Sequence, residues 1–313
     1  MSYDSPLTDY GKRLRERLGG RAQKLSIDAH LGCPNRDGTL SFGGCTFCLG
    51  DAFSPAYCRA ARSITEQIDF GIAFHARRRR TASNYIAYFQ AGTNTYAPIE
   101  QLERLYNEAL SHPAISGIII GTRPDCISSE KLDLLEYLAH KKYVAVEYGI
   151  ESVYDSTLRR INRHHDFATA REAVSQTKER NIDCGAHFIL GLPGESRDDI
   201  VEATAQINAL GIDTIKFHQL QIYRSTPLVE LWHDHPEEFL FGSNFGVDSY
   251  VELLIDILRR LDANIAVERI ASSSPRHLTE YSPLGGIRPD ILRQRLVERM
   301  NSLNVGQGDM VIR

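Results

Sequence analysis

The sequence predicts an α/β fold built on a parallel sheet. Short runs rich in β-branched and aromatic residues alternate with longer segments whose apolar residues recur at helical spacing, and this alternation repeats six times. Repeated strand–helix–strand units close right-handed crossovers and lay successive strands parallel. Periodicity leaves both an open doubly wound sheet and a barrel, whole or partial, standing. No Gly-x-Gly-x-x-Gly follows the first strand, so nothing favours a dinucleotide fold.

The strands are expected at Lys24 to Leu31, Asn84 to Gln90, Ile118 to Ile120, Val144 to Ile150, Ala186 to Leu190 and Thr214 to Tyr223. Each run suits a pleated, largely buried surface. Leu25, Ile27, Ala29 and Leu31 share one face of the first, and Glu147, Gly149 and Glu151 share one face of the fourth. Helices are expected between them. Leu102, Leu105, Tyr106, Ala109 and Leu110 follow the i, i+3, i+4 rhythm, as do Phe167, Ala170, Ala173, Val174 and Thr177. Ser128 is placed to cap a helix carrying Leu132, Leu134, Leu135 and Leu138. Ser196 to Leu210 and Ser249 to Leu261 read as helices too. Beyond them come a further strand at Ala266 to Ala271, a loop over Ser272 to Pro275, and a polar helix from Arg288 to Leu303.

The 313 residues suit one large domain or two modest ones, and 42% hydrophobic with 24% charged residues is ordinary for a globular chain. No run approaches the ~18 consecutive apolar residues of a membrane span. Met1 to Tyr10 has no apolar signal core, so the reading is cytoplasmic. A net charge of −4 does not mark a strongly basic nucleic-acid binder. Local basic groups, Arg77 to Arg80 and Arg288, Arg293, Arg295 and Arg299, read first as solvated helix ends.

Six cysteines in a chain of this length do not form a disulfide scaffold. Three of them crowd into Cys33-x11-Cys45-x2-Cys48, just after the first strand, in a stretch broken by Gly38, Gly43, Gly44 and Pro34-Asn35. Thiolates are soft ligands that suit zinc or iron–sulfur clusters. Structural zinc is almost always four-coordinate, which would recruit Cys58 or His30; three thiolates on a cubane leave one iron open. Cys126 and Cys184, beside or within expected strands, read as small buried hydrophobes.

At this point the residues resemble the radical S-adenosylmethionine (SAM) superfamily, in the expanded cysteine spacing of the Elongator-catalytic-subunit group. Further matches follow in order. They are Tyr88-Phe89-Gln90-Ala91-Gly92-Thr93-Asn94-Thr95-Tyr96, Thr122-Arg123-Pro124-Asp125, Glu147-Tyr148-Gly149-Ile150-Glu151-Ser152 and Gly191-Leu192-Pro193-Gly194-Glu195. Together they are similar to a little-characterised bacterial branch that lacks the acetyltransferase domain. The resemblance spans Leu18 to Leu261 and implies a partial (β/α)6 barrel as core, after a polar segment 1–17 and before a short C-terminal extension, 262–313.

The resemblance also implies a [4Fe–4S] cluster on Cys33, Cys45 and Cys48, with SAM on the fourth iron. Phe47 and Gly191 would lie near the adenine. Gly92, Thr93, Asn94 and Thr95 fall at the contact to the methionine amine, where the usual Gly-Gly-Glu is absent. Glu151 would meet the ribose or the methionine end, and Arg163 the SAM carboxylate. The implied activity is reductive cleavage of SAM to a 5′-deoxyadenosyl radical that abstracts hydrogen. It needs an electron donor of flavodoxin or ferredoxin type and implies tRNA, at a wobble uridine, as substrate. Lys216 and His218, on one face of the sixth strand, are candidates to touch substrate, though His218 reads first as a satisfied core histidine. Ala271-Ser272-Ser273-Ser274-Pro275-Arg276 departs from the group, which has a Gly-Asp turn there. A zinc-stabilised binding module and a non-catalytic iron–sulfur protein are the alternative readings.

Overall fold

The computed structural model describes residues 5–50, 54–61, 63–78, 81–242 and 245–311. Seven strands form one parallel sheet: β1 (Ala22–Ile27), β2 (Asn84–Phe89), β3 (Ile115–Thr122), β4 (Tyr143–Glu151), β5 (Asp183–Leu190), β6 (Thr214–Gln219) and β8 (Ala266–Arg269), adjacent in that order. Helices α3 (Ile64–Arg77), α4 (Ile99–Ser111), α5 (Ser129–Ala139), α7 (Phe167–Glu179), α8 (Arg197–Ala209) and α10 (Val247–Arg260) supply the crossovers. Their apolar stripes bury against the outer face of the sheet. Leu102, Leu105 and Tyr106 of α4 and Leu132, Leu135 and Leu138 of α5 join Leu25, Ile27, Phe89, Ile118, Ile120 and Val146 in one core.

Local capping fixes where these helices begin. Ser128 accepts from the Lys131 N–H at 3.4 Å at the start of α5. Ser196 and Asp199 form a reciprocal capping box at the start of α8, at 3.1 and 2.9 Å. α11 (Pro289–Leu303) closes the chain's helical set with Leu292, Leu296 and Met300 buried.

Two expectations change. Thr214 to Tyr223 is not one strand: β6 stops at Gln219, and β7 (Ile222–Tyr223) pairs antiparallel with β9 (Thr279–Tyr281) in a separate ribbon. The strand expected at Ala266 to Ala271 lies beside β6 as the seventh parallel member of the main sheet, so residues after 262 contribute to it.

The N-terminal segment is also more than polar. α1 (Tyr10–Leu18) turns Tyr10 and Leu14, one helical turn apart, onto Ile86, Tyr88, Ile119, Ala145 and Ala266 on the inner face of the sheet. Asp9 bridges Val267 of β8. α1 thus closes the bottom of the barrel on the side where, among the described residues, no ladder joins β1 to β8.

The sheet is rolled into a half-barrel. Lys24 of β1 and Glu268 of β8, at opposite ends of the strand order, meet at 2.6 Å. Lys24 also reaches Glu147 of β4 at 2.9 Å, and Lys216 of β6 reaches Glu147 at 2.5 Å and Glu268 at 3.1 Å. Tyr88 Oη accepts from Lys216 at 3.0 Å. Two lysines and two carboxylates therefore close a neutral ring across the lumen. Burial pushes the Glu147 carboxyl up, but the ammonium groups of Lys216 and Lys24 outweigh it and hold it well below the ordinary carboxylate range.

Removing one partner of such a buried ring strands the opposite charge, which costs about 3–5 kcal/mol. Lys216→Met is therefore expected to lower unfolding stability by that amount in urea titration. Arg299→Ala, which breaks a half-exposed pair with Glu252, is expected to cost under ~1 kcal/mol.

Candidate functional site: a cysteine-lined cavity at the strand C-termini

A cavity of about 590 Å³ opens at the C-terminal end of the sheet, within the ~300–1,000 Å³ typical of ligand sites. Cys33, Cys45 and Cys48 line one wall together with Phe47. Gly92, Thr93, Arg123, Glu151 and Arg163 line it from neighbouring strand ends, and His187, His218 and Gln219 from the far side.

The cysteine loop is held by another loop, residues 161–163, that follows the short helix α6 (Asp155–Arg160). Thr46 N–H donates to the Ile161 carbonyl at 3.0 Å. Asn162 Nδ2 donates to the Gly44 carbonyl at 2.9 Å, and Asn35 Nδ2 to the Asn162 carbonyl at 2.6 Å. Behind it, Arg123 forks onto Asp125 with two contacts of 2.8 Å and donates to the Arg163 carbonyl at 2.7 Å.

Three N–H groups point at sulfur. Asn35 Nδ2 lies 3.3 Å from Cys45 Sγ, Arg163 Nη1 lies 3.4 Å from the same atom, and the Gly50 N–H lies 3.2 Å from Cys48 Sγ. Such donors stabilise anionic sulfur and tune a cluster's potential. Burial works against charge on Arg163, but Cys45 and Glu151 outweigh it and raise its pKa above the ordinary arginine value. A surface salt bridge is excluded for this residue, which is 7% exposed.

The wall also carries unspent polar groups. Arg123 Nη1, Arg163 Nε and Asn94 Oδ1 are buried and have no hydrogen-bond partner among the described residues. Buried polar atoms are rarely left so, and two of these three side chains line the cavity. The donor set, the orphaned groups and the cavity fit a thiolate-held cluster with a polar ligand beside it. Among the described residues no three His, Cys, Asp or Glu side chains converge as a single metal ion would require.

The other cysteines are accounted for. Cys58 is fully buried with Sγ on the Ser26 carbonyl at 3.2 Å, and burial pushes its thiol up to about 11. His30 turns to Asp28, 3.4 Å away. Cys126 is buried in the turn after β3, where burial raises its thiol to about 12, and Cys184 is enclosed in β5.

The remaining sequence candidates divide. Glu151 follows a register shift at the end of β4 and has φ of 77°, strained for a residue with a side chain. Its carboxylate lies 3.6 Å from Arg163. Gly92, with φ of 72°, sits so close to the Leu31 carbonyl that a Cβ would collide with it, which seats the turn after β2 against the cysteine loop. Asn94 and Thr95 do not line the cavity. Asn94 Nδ2 donates to the Gly121 carbonyl at 2.9 Å, and Thr95 Oγ1 meets Thr122 Oγ1 at 2.6 Å. Gly191 faces the ring of Phe241, with no room for a Cβ, and is also outside the cavity lining.

The C-terminal arginines pair with acids: Arg293 with Asp9 and Arg288 with Asp290, both at 2.6 Å, and Arg299 with Glu252 at 2.7 Å. Arg77 sits in the last turn of α3; Arg79 and Arg80 lie outside the described residues. Sequence reasoning missed Lys24, His187, Gln219 and Ser272. Gln219 donates to the Ser272 carbonyl at 2.7 Å and accepts from its N–H at 2.8 Å. The departure at Ala271–Arg276 thus forms part of the cavity's rim.

The chain matches the radical SAM superfamily over residues 31–207 and the radical SAM C-terminal domain over 212–301. It belongs to the radical SAM superfamily, whose [4Fe–4S] cluster and SAM are its cofactors. It is 35% identical to Protein YhcC of Escherichia coli K12, covering 88% of this chain and 86% of that one. It is 26% identical to human Elongator complex protein 3, covering 68% of this chain but only 36% of that protein. Its fold matches the archaeal Methanocaldococcus infernus Elp3 structure with a TM-score of 0.66 at 16% identity, over 91% of this chain and 64% of that one. Among the described residues no helix is long and apolar enough to cross a membrane.

Behind Glu151, Ser152 Oγ donates to Glu195 Oε1 at 2.5 Å. Burial pushes the Glu195 carboxyl up to about 7 against that hydrogen bond and one from Thr157. The folded state therefore holds a proton that the unfolded state releases near pH 4.5, and this stabilisation is lost as pH rises to about 7. Thermal unfolding is expected to show wild type losing stability relative to Glu195→Gln between pH 5 and pH 7.5; a pH-independent difference would contradict the assignment.

Proposed function

We propose that Cys33, Cys45 and Cys48 hold the cluster and leave one iron for SAM, and that the substrate is tRNA at a wobble uridine. The observation that carries the first part is that three cysteines line one wall of a ligand-sized cavity and three N–H donors reach the sulfurs of two of them, Cys45 and Cys48. Held there by Cys33, Cys45 and Cys48, a reduced cluster would supply the electron for reductive cleavage of SAM, the chemistry that yields a hydrogen-abstracting 5′-deoxyadenosyl radical.

This chain's residues then bind and orient. Arg163 steadies Cys45 and keeps Nε for the SAM carboxylate, a charge-assisted contact. Glu151 faces the ribose or the methionine end, and Phe47 the adenine. Thr93, with the carbonyls of the turn it shares with Gly92, takes the methionine amine. Asn94 and Thr95 hold that turn to β3, and Gly191 shapes the adenine side through Phe241. The half-barrel wall limits water around a reactive intermediate.

The tRNA reading rests on the Elongator group resemblance; this chain covers 36% of human Elongator complex protein 3. The paired arginines of α11 lend it no basic surface. An electron donor of flavodoxin or ferredoxin type and a cytoplasmic setting complete the proposal.

The test is anaerobic reconstitution with iron and sulfide, followed by assay for 5′-deoxyadenosine under strong reductant. Wild type is expected to bind iron and cleave SAM; Cys45→Ala is expected to lose both, and Cys58→Ala to keep its iron. A single zinc without iron would establish the binding-module reading, and an intact cluster that never cleaves SAM the non-catalytic one. Nucleosides from cells with and without the gene are expected to differ at the wobble position; identical profiles would overturn the tRNA assignment.

A further inference from the structure

The inner faces of β4, β5 and β6 bring a second chemistry into the cavity, across from the cysteines. Glu147, His187 and His218 all line it. His187 Nε2 lies 3.0 Å from Glu147 Oε2, and the His187 and His218 rings are 5.7 Å apart. Glu147 is held ionised by two ammonium groups, so it can only accept. The proton between them therefore sits on His187 Nε2, and in the neutral ring Nδ1 then carries the lone pair. Nδ1 has no hydrogen-bond partner among the described residues, and the side chain keeps 21% exposure.

We propose that His187 is a catalytic residue of the substrate half of the cavity, where Nδ1 takes the proton from a hydroxyl or amino group on the substrate carbon that loses hydrogen. The proposal rests on the reading that SAM and substrate share this cavity. A carbon–hydrogen bond weakens when the neighbouring oxygen or nitrogen gains electron density, so a base at that heteroatom lowers the barrier to hydrogen-atom loss. In the step, the Nδ1–H bond forms as the substrate O–H or N–H bond breaks, and the bonding pair stays on the substrate atom. The imidazolium that results faces the Glu147 carboxylate.

Glu147 is a positioning residue in this scheme: it fixes the tautomer and offsets the arriving charge, as a carboxylate does behind a catalytic histidine. Lys24 and Lys216 hold Glu147, and Tyr88 and Glu268 hold the lysines. His218 plays a different part. Burial, then Arg269 and His187 itself, push its pKa well below the ordinary histidine value. It remains a neutral hydrogen-bonding wall and cannot compete for the proton.

Two measurements test this on the SAM-bound holoenzyme. Nitrogen-15 NMR of histidine-labelled protein, assigned against His187→Gln, is expected to show His187 in the Nε2–H tautomer, and Glu147→Gln is expected to disturb it. An Nδ1–H tautomer overturns the proposal. The second uses total tRNA from cells lacking the gene. His187→Gln is expected to lower nucleoside conversion by about 100-fold or more, and to lower it far more than it lowers substrate-free SAM cleavage. Equal losses in both assays would mean a structural role and overturn it, as would conversion near the wild-type rate. If wild type converts no nucleoside, the tRNA reading fails and the tautomer alone decides the dyad.

Discussion

Between the end of β1 and α2 (Ala56–Ala60), the described part of the cysteine loop contains turns and one isolated bridge but no α-helix or strand. Its position has to come from outside. Asn35, Asn162 and Arg163 supply it: they bond the loop to residues 161–163 and aim two side-chain donors at Cys45. Arg123 then anchors that second loop to the turn after β3. The placement of the thiols, the shape of the cavity and the nearness of Glu151 all depend on this one clamp.

The clamp works because the barrel beneath it is stiff. A lumen lined by charged residues is tolerable only where every charge has a partner, since an unpaired buried charge is expensive. Lys24, Glu147, Lys216 and Glu268 satisfy one another from four different strands. The ring ties the two ends of the sheet across the gap that α1 fills from below. It also leaves Glu147 with one oxygen directed at His187, so the stabilising network and the polar side of the cavity are one structure.

Much of this was legible in the chain. Apolar spacing located α4, α5, α7, α8 and α10 to within a few residues, and β2 to β5 fell where β-branched runs lay. The Cys33–Cys48 spacing marked the site, and period-two alternation put Glu147 and Glu151 on one face. What escaped did so for physical reasons. Lys24 and Glu268 are 244 residues apart, and no local pattern links them. His187 is a single polar residue in an apolar run. α1 shows only Tyr10, Leu14 and Leu18 among charged residues, so its buried stripe is thin. Asn94 and Thr95 belong to a motif that lines the cavity in part, and Gly191 to one outside its lining; their side chains, or the space a side chain would take, serve the scaffold.

The central claim is that three protein thiolates leave one iron of the cluster for SAM. Electron–nuclear double resonance on the reduced, SAM-bound protein addresses it directly, with nitrogen-15 at the methionine amine of SAM. Hyperfine coupling from that nitrogen to the cluster is the expected result. Absence of the coupling, together with a signal from a fourth protein donor such as histidine nitrogen, would contradict it.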